Sequence, residues 1–344
     1  MNKRKYRKIV LNLITITILL AILYLVFHKD YKAILDCVSN ISLLNLLLLL
    51  AMGIGYQVLD AAVCFTLVHE RLSSFQFKQA VEVTFLGVFG NIANSTEGTI
   101  PLQSYYLYQQ GMQVGSGMGL MILQYVFHKT TVFLYAAFMI LLQGQWLKSA
   151  LPELVKYIYP GLIVCALIIV FLVLLCTWTT IQQLLLWIIG KFPNTGKWVN
   201  RKDTWENNLK VFYAESKEML RNRTCCRNAI ILNILKLFWL FIIPFLCMKS
   251  LNITGITWGR IQTVSAIMLL LIGVLPNVSG AGPAEFSFLL LYTPLIGRIS
   301  AFSTLILYRV ATYFFPFLLS IGVFLKIRKT KENLREQKVG KFTP

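Results

Sequence analysis

Continuous apolar stretches long enough to cross a bilayer recur along this chain, near 9–27, 41–67, 117–142, 158–178, 228–248 and 301–326. A hydrocarbon core about 30 Å thick takes about 20 helical residues, and within it every backbone N–H and C=O must be satisfied by the protein itself. Long apolar runs meet that demand as helices. The expectation is an all-α polytopic membrane protein with about six full transmembrane helices. Composition agrees, since 57% of the 344 residues are hydrophobic and only 14% are charged, which no soluble domain of this length requires.

Two shorter segments, 80–110 and 261–296, interrupt this pattern in the same way. Around Pro101 the chain reads STEGTIPLQSYYLYQQG, and around Pro283 it reads SGAGPAEFSFLLLY. Each has a Gly-marked turn, then a proline, then Gln103 or Glu285 two residues later, and each precedes an apolar helix with one basic residue, Lys129 or Arg309. Either arm of either segment is too short for a comfortable crossing, so both are expected to be re-entrant hairpins; a count of seven or eight crossings is the alternative. Paired interruptions in the two halves of a membrane protein point to an internally duplicated, transporter-like core.

The organisation that follows is one integral membrane domain over 1–344. Its first half, 8–180, holds the hairpin 80–110; a cytoplasmic amphipathic loop, 181–227, leads to a second half, 228–326, with the hairpin 261–296; a basic tail occupies 327–344. The net charge of +19 concentrates outside the spans. Lys3, Arg4, Lys5, Arg7 and Lys8 form a basic head, Lys197 to Arg223 a basic loop, and Arg328 to Lys341 a basic tail. The positive-inside rule places all three in the cytoplasm, both termini included. The first hairpin then enters from the cytoplasm and the second from outside, which is an inverted repeat. The basic excess reads as orientation and attraction to anionic lipid, so no nucleic-acid binding is expected. The first apolar run is too long for a signal peptide's core and is expected to stay as an uncleaved span. TWENNLKVFYAESKEMLR in the loop is amphipathic and expected at the membrane surface.

Soluble-enzyme motifs are missing from the sequence: it has no GxxxxGK, HExxH or GxSxG. GSGMG at 115–119 opens an apolar helix with no strand before it, so small residues for close helix packing are the better account. The three histidines are far apart and the seven cysteines scattered, so neither a metal site nor a cofactor is expected. What remains is charge within or beside apolar segments: Asp60, Glu82, Glu97, Lys129, Lys236, Glu285 and Arg309. Each costs about 2.5–3.5 kcal/mol at the bilayer centre when unpaired, so these groups must face one another or a wet cavity. Asp60, Glu82 and Lys236 fit structural pairs as well as function. Lys129 and Arg309, at matched places after the two hairpins, point to function. Pro283 at the first helical position puts Glu285 at the third, where a carboxylate caps the helix; the same terminus offers N–H groups to a phosphate. The candidate lipid-headgroup residues are Glu97, Gln103, Lys129, Glu285 and Arg309, and no catalytic residue can be named.

The two blocks GNIANSTEGTIPLQSYYLYQQG and LPNVSGAGPAEFSFLLLY, the second followed by LYRVATYFFP, resemble the transmembrane region of the lysylphosphatidylglycerol synthase family. This is the family of phosphatidylglycerol lysyltransferase, or multiple peptide resistance factor. The resemblance runs from the first span to Lys326. The matching residues are Asn94, Gly98, Pro101, Gln103, Tyr105 and Gly111, then Pro276, Gly280, Gly282, Glu285 and Arg309; together with Pro283, the turn residues among them make the hairpin backbone. Thr99 and Ile100 stand where the family has Gly and Gln before the proline, and Pro283 where it often has a small residue. The soluble aminoacyl-transfer domain of bifunctional members is expected to be absent. The resemblance implies a protein of the bacterial cell membrane that handles or translocates anionic or aminoacylated phospholipid. It also implies a link to lysyl-phosphatidylglycerol metabolism and to resistance against cationic antimicrobial peptides, with a separate soluble synthase or glycosyltransferase as partner. The alternatives are a membrane-embedded transferase acting on lipid-linked substrates with Glu285 or Glu97 as base, a transporter of polyprenyl-linked sugars, and a structural or regulatory subunit.

Overall fold

The computed structural model describes residues 36, 38–93, 98–191, 197–274 and 282–340. The expected first span, 9–27, and Asn94, Glu97, Pro276 and Gly280 lie outside them. Among the described residues all regular structure is helical: α1 (Leu43–His69), α2 (Phe77–Ala93), α3 (Thr99–Gln109), α4 (Val114–Ala150), α5 (Pro152–Thr177), α6 (Thr179–Gly190) and α7 (Lys197–Arg221). There follow α8 (Arg223–Ser250), α9 (Trp258–Val274), α10 (Pro283–Ile296), α11 (Arg298–Arg309), a π turn (Val310–Phe314) and α12 (Phe315–Gly340). Five stretches are long and apolar enough to cross a membrane: α1, α4, Pro152–Phe171 of α5, α8, and Arg298–Lys329. They coincide with the five expected spans that fall within the described residues.

The two halves meet along α1 and α8, and the register shows that these helices run antiparallel. Asn222 Nδ2 donates to Glu70 (2.5 Å), Lys236 Nζ to Asp60 (2.8 Å) and Trp239 Nε1 to the carbonyl of Met52 (2.8 Å), so numbers rise on one helix as they fall on the other. Hairpin one, α2 and α3, folds back on itself: Gln79 donates to Gln110 (2.5 Å), Tyr106 to Glu82 (2.5 Å) and Gln103 to the carbonyl of Val83 (3.2 Å). Its entry and exit are thus level. At 1.5 Å per residue the arms reach about 25 Å and about 16 Å, short of the core thickness. Hairpin two, α9 and α10, closes through Ser265 and Tyr292 (2.7 Å) with Phe288 stacked on Tyr292.

Hairpin one starts beside the C-terminal end of α1, where His69 meets the carbonyl of Phe75 (3.0 Å), and hairpin two follows the C-terminal end of α8. Because α1 and α8 are antiparallel, the hairpins enter from opposite ends of the bundle. Each packs on the helix that follows the other hairpin. Phe89 of α2 stacks between Phe317 and Phe324 of α12, and Lys326 reaches Glu82 (2.9 Å). On the other side, Tyr135 of α4 donates to Gln262 of α9 (2.6 Å) and Arg260 lies over Trp146. The two hairpins thus make reciprocal contacts across the bundle.

The amphipathic loop is docked rather than free. In α7, Phe212, Tyr213 and Met219 are buried, Ser116 donates to Glu215 (3.0 Å), and Arg71 spans Glu215 (2.9 Å) and Glu218 (2.6 Å). The Arg71 guanidinium holds the Glu218 carboxyl below its ordinary range. GSGMG is the packing surface: a Cβ on Gly115 would come within 2.9 Å of the Asn208 carbonyl oxygen, so only glycine permits this approach.

Candidate functional site

The interrupted helices leave a space between the hairpins. A cavity of about 710 Å³ is walled by Tyr56, Gln57 and Asp60 of α1, Thr84, Asn91, Thr99 and Gln103 of hairpin one, Gln124, Tyr125, His128 and Lys129 of α4, Lys236 of α8, Gly273 of α9, and Thr312 and Tyr313 of the π turn. Close contact between the arms of hairpin one shapes its wall. A Cβ on Gly87 would lie 2.5 Å from Gln103 Nε2, and one on Gly90 2.9 Å from the Gly98 carbonyl oxygen. The apolar helix α4 turns its polar residues Gln124, His128 and Lys129, one turn apart, to the same space.

Polar groups around this cavity fall into three sets. Asp60 Oδ1 accepts from Lys236 Nζ (2.8 Å) and Gln124 Nε2 (3.4 Å); Lys236 is 1% exposed, so this ion pair ties α1, α4 and α8 together in the interior. Buried Gln124 Oε1 and Thr84 Oγ1 have no hydrogen-bond partner among the described residues. Lys129 has no carboxylate within ion-pairing distance among the described residues, and its ammonium sits 5.3 Å from the Tyr125 ring centroid and beside Gly273. A cation so placed, in the wall of a cavity that Gln103 and Gln124 also line, can bind an anion.

Glu285 and Arg309 form a separate unit. Gly282, at φ 91°, donates its N–H to Glu285 Oε2 (2.6 Å), so the third residue of α10 caps its start, and Arg309 Nε donates to Oε1 (2.6 Å) with a second guanidinium nitrogen in contact. Neither residue lines the cavity, but Arg309 lies over the ring of Tyr313 (4.4 Å to the centroid), which does. The π turn directly after Arg309 widens the helix there; such turns often mark functional segments.

Of the headgroup candidates, then, the structure brings Gln103 and Lys129 to the cavity wall, sets Glu285 and Arg309 as a pair behind Tyr313, and leaves Glu97 outside the described residues. Gly98 caps α3 and Pro101 lies in its first turn, while Gly282 and Pro283 open α10. Tyr56, Gln124 and Tyr313 are cavity residues that sequence reasoning passed over. Tyr56 and Gln124 lie one helical turn from Asp60 and His128, and polar neighbours at that spacing of an intramembrane ionisable group are the signal that finds them. Asp60 with Lys236, and Glu82 with Lys326, are paired.

The family model for the Lysylphosphatidylglycerol synthase TM region matches residues 11–320. No curated protein and no solved structure matches the chain. With most of its length matched, the chain belongs to that family.

Proposed function

From that membership as premise, we propose that the chain handles or translocates anionic or aminoacylated phospholipid across the bacterial cell membrane, with the headgroup held in the central cavity and its phosphate on Lys129. The observation that carries this reading is the Lys129 ammonium in a cavity of about 710 Å³, without a carboxylate partner among the described residues. An intramembrane cation is expensive unless an anion meets it, and a phosphate does so. The volume lies within the usual range of about 300–1,000 Å³ for ligand sites. Hairpins entering from opposite ends around one site suit alternating access, and the basic head, loop and tail set both termini in the cytoplasm.

A transferase with Glu285 as base fits less well. Both carboxylate oxygens are engaged, one by Arg309 and one by the Gly282 N–H, so neither faces a substrate in the cavity. Delivery of a cationic aminoacylated lipid to the outer leaflet would lower the surface's attraction for cationic peptides, which connects the site to peptide resistance. Reconstituted protein tests the proposal: a leaflet-specific assay of labelled phosphatidylglycerol and lysyl-phosphatidylglycerol should show transbilayer movement that Lys129→Met reduces about tenfold or more, at normal abundance. Unchanged movement in Lys129→Met would remove the residue from the mechanism.

A further inference from the structure

Lys129 borders a second space. An apolar slot of about 30 Å³ lies between α4, α5 and α9, lined by Val132, Cys165, Ile168 and Leu269 among others, and it shares Tyr125, Lys129 and Gly273 with the central cavity. Gly273 keeps the two in communication: a Cβ there would stand 3.1 Å from Lys129 Nζ, and among the described residues no other atom beyond its chain neighbours and its own helix backbone comes within 4 Å. The α5 wall is peripheral, with Ile163 at 63% and Leu167 at 64% exposure on its outer face and Ile168 at 40% beside the slot. One ammonium thus faces polar groups on one side and, on the other, an apolar slot that abuts a lipid-facing helix.

A water-soluble anion gains nothing from the apolar flank. An anion attached to a hydrocarbon chain uses both, because burying each methylene is worth about 0.8 kcal/mol. We infer that the ligand's phosphate on Lys129 is joined to an acyl chain that leaves sideways over Gly273, through the slot between α4, α5 and α9, into the bilayer. This rests on the headgroup reading above and adds a lateral portal, with Gly273 as its sill and a diacyl phospholipid as its occupant.

The test uses the full chain in nanodiscs with phosphatidylglycerol bearing a diazirine near the glycerol end of one acyl chain, and maps crosslinked residues by mass spectrometry. Wild-type protein should label at Cys165, Ile168 and Leu269. Lys129→Met and Gly273→Leu should each cut that labelling about tenfold, while labelling of outward-facing Ile163 and Leu167, which only annular lipid reaches, stays constant and confirms the fold. Gly273→Ala, whose added methyl meets only a flexible ammonium among the described residues, should give an intermediate loss. Slot labelling that survives Lys129→Met and Gly273→Leu alike would overturn the portal. The headgroup reading fails on a different measurement, undiminished lipid movement in Lys129→Met, so the two can fall separately.

Discussion

Breaking the Asp60–Lys236 pair from either side should give unequal losses, because the partners are unequally buried. Both residues border the cavity, but the Lys236 side chain is 2% exposed and that of Asp60 24%. Asp60→Asn strands an ammonium in a nearly dry position with amide groups for company. Removing one member of a buried pair costs about 3–5 kcal/mol, and this variant should lie in that range. Lys236→Met leaves Asp60 with its Gln124 hydrogen bond and access to cavity water, which should hold the loss to about 1–2 kcal/mol. The double variant Asp60→Asn/Lys236→Met strands no charge and should recover about half of the Asp60→Asn loss, giving a coupling energy of about 3 kcal/mol. Thermal unfolding of purified protein in one detergent, followed by intrinsic fluorescence, reads all four corners of the cycle. Equal losses from the two single variants, or additive behaviour in the double, would refute the claim that differential burial sets the strength of this pair.

Other perturbations have equally definite outcomes. Gly53→Ala would put a Cβ 1.9 Å from the Ala311 carbonyl oxygen in the π turn, so α1 must move and the melting temperature should fall by several degrees, which a thermal scan checks. Glu285→Gln keeps an acceptor for the Gly282 N–H but takes the carboxylate from Arg309; the loss should be about 1–3 kcal/mol and shrink when Arg309→Met is added, as denaturation of both variants would show. The depressed Glu218 carboxyl stabilises the docking of α7 above the ordinary carboxylate range, and that contribution disappears as pH falls through its lowered value. Protease cleavage within α7 should therefore accelerate in acid for the wild type and be fast at every pH in Glu218→Gln.

Periodicity made the crossings legible because it is a one-dimensional property: a run has a length. The hairpins were legible for the same reason, since Gly98, Pro101, Gly282 and Pro283 break helices wherever they stand. Pairing was not legible. Nothing in the sequence says that Glu285 reaches Arg309 while Lys129, at the matched position after the other hairpin, meets no carboxylate among the described residues. That difference arises only when the second hairpin brings Glu285 up to α11, whereas the corresponding place in hairpin one is held by Gln103, a neutral side chain spent on the carbonyl of Val83. An exchange of Glu for Gln between the two hairpins therefore leaves one cation neutralised and the other without a carboxylate among the described residues. The two hairpins and the helices around them supply the cavity, and this difference between the hairpins supplies the charge on which the proposed headgroup site rests.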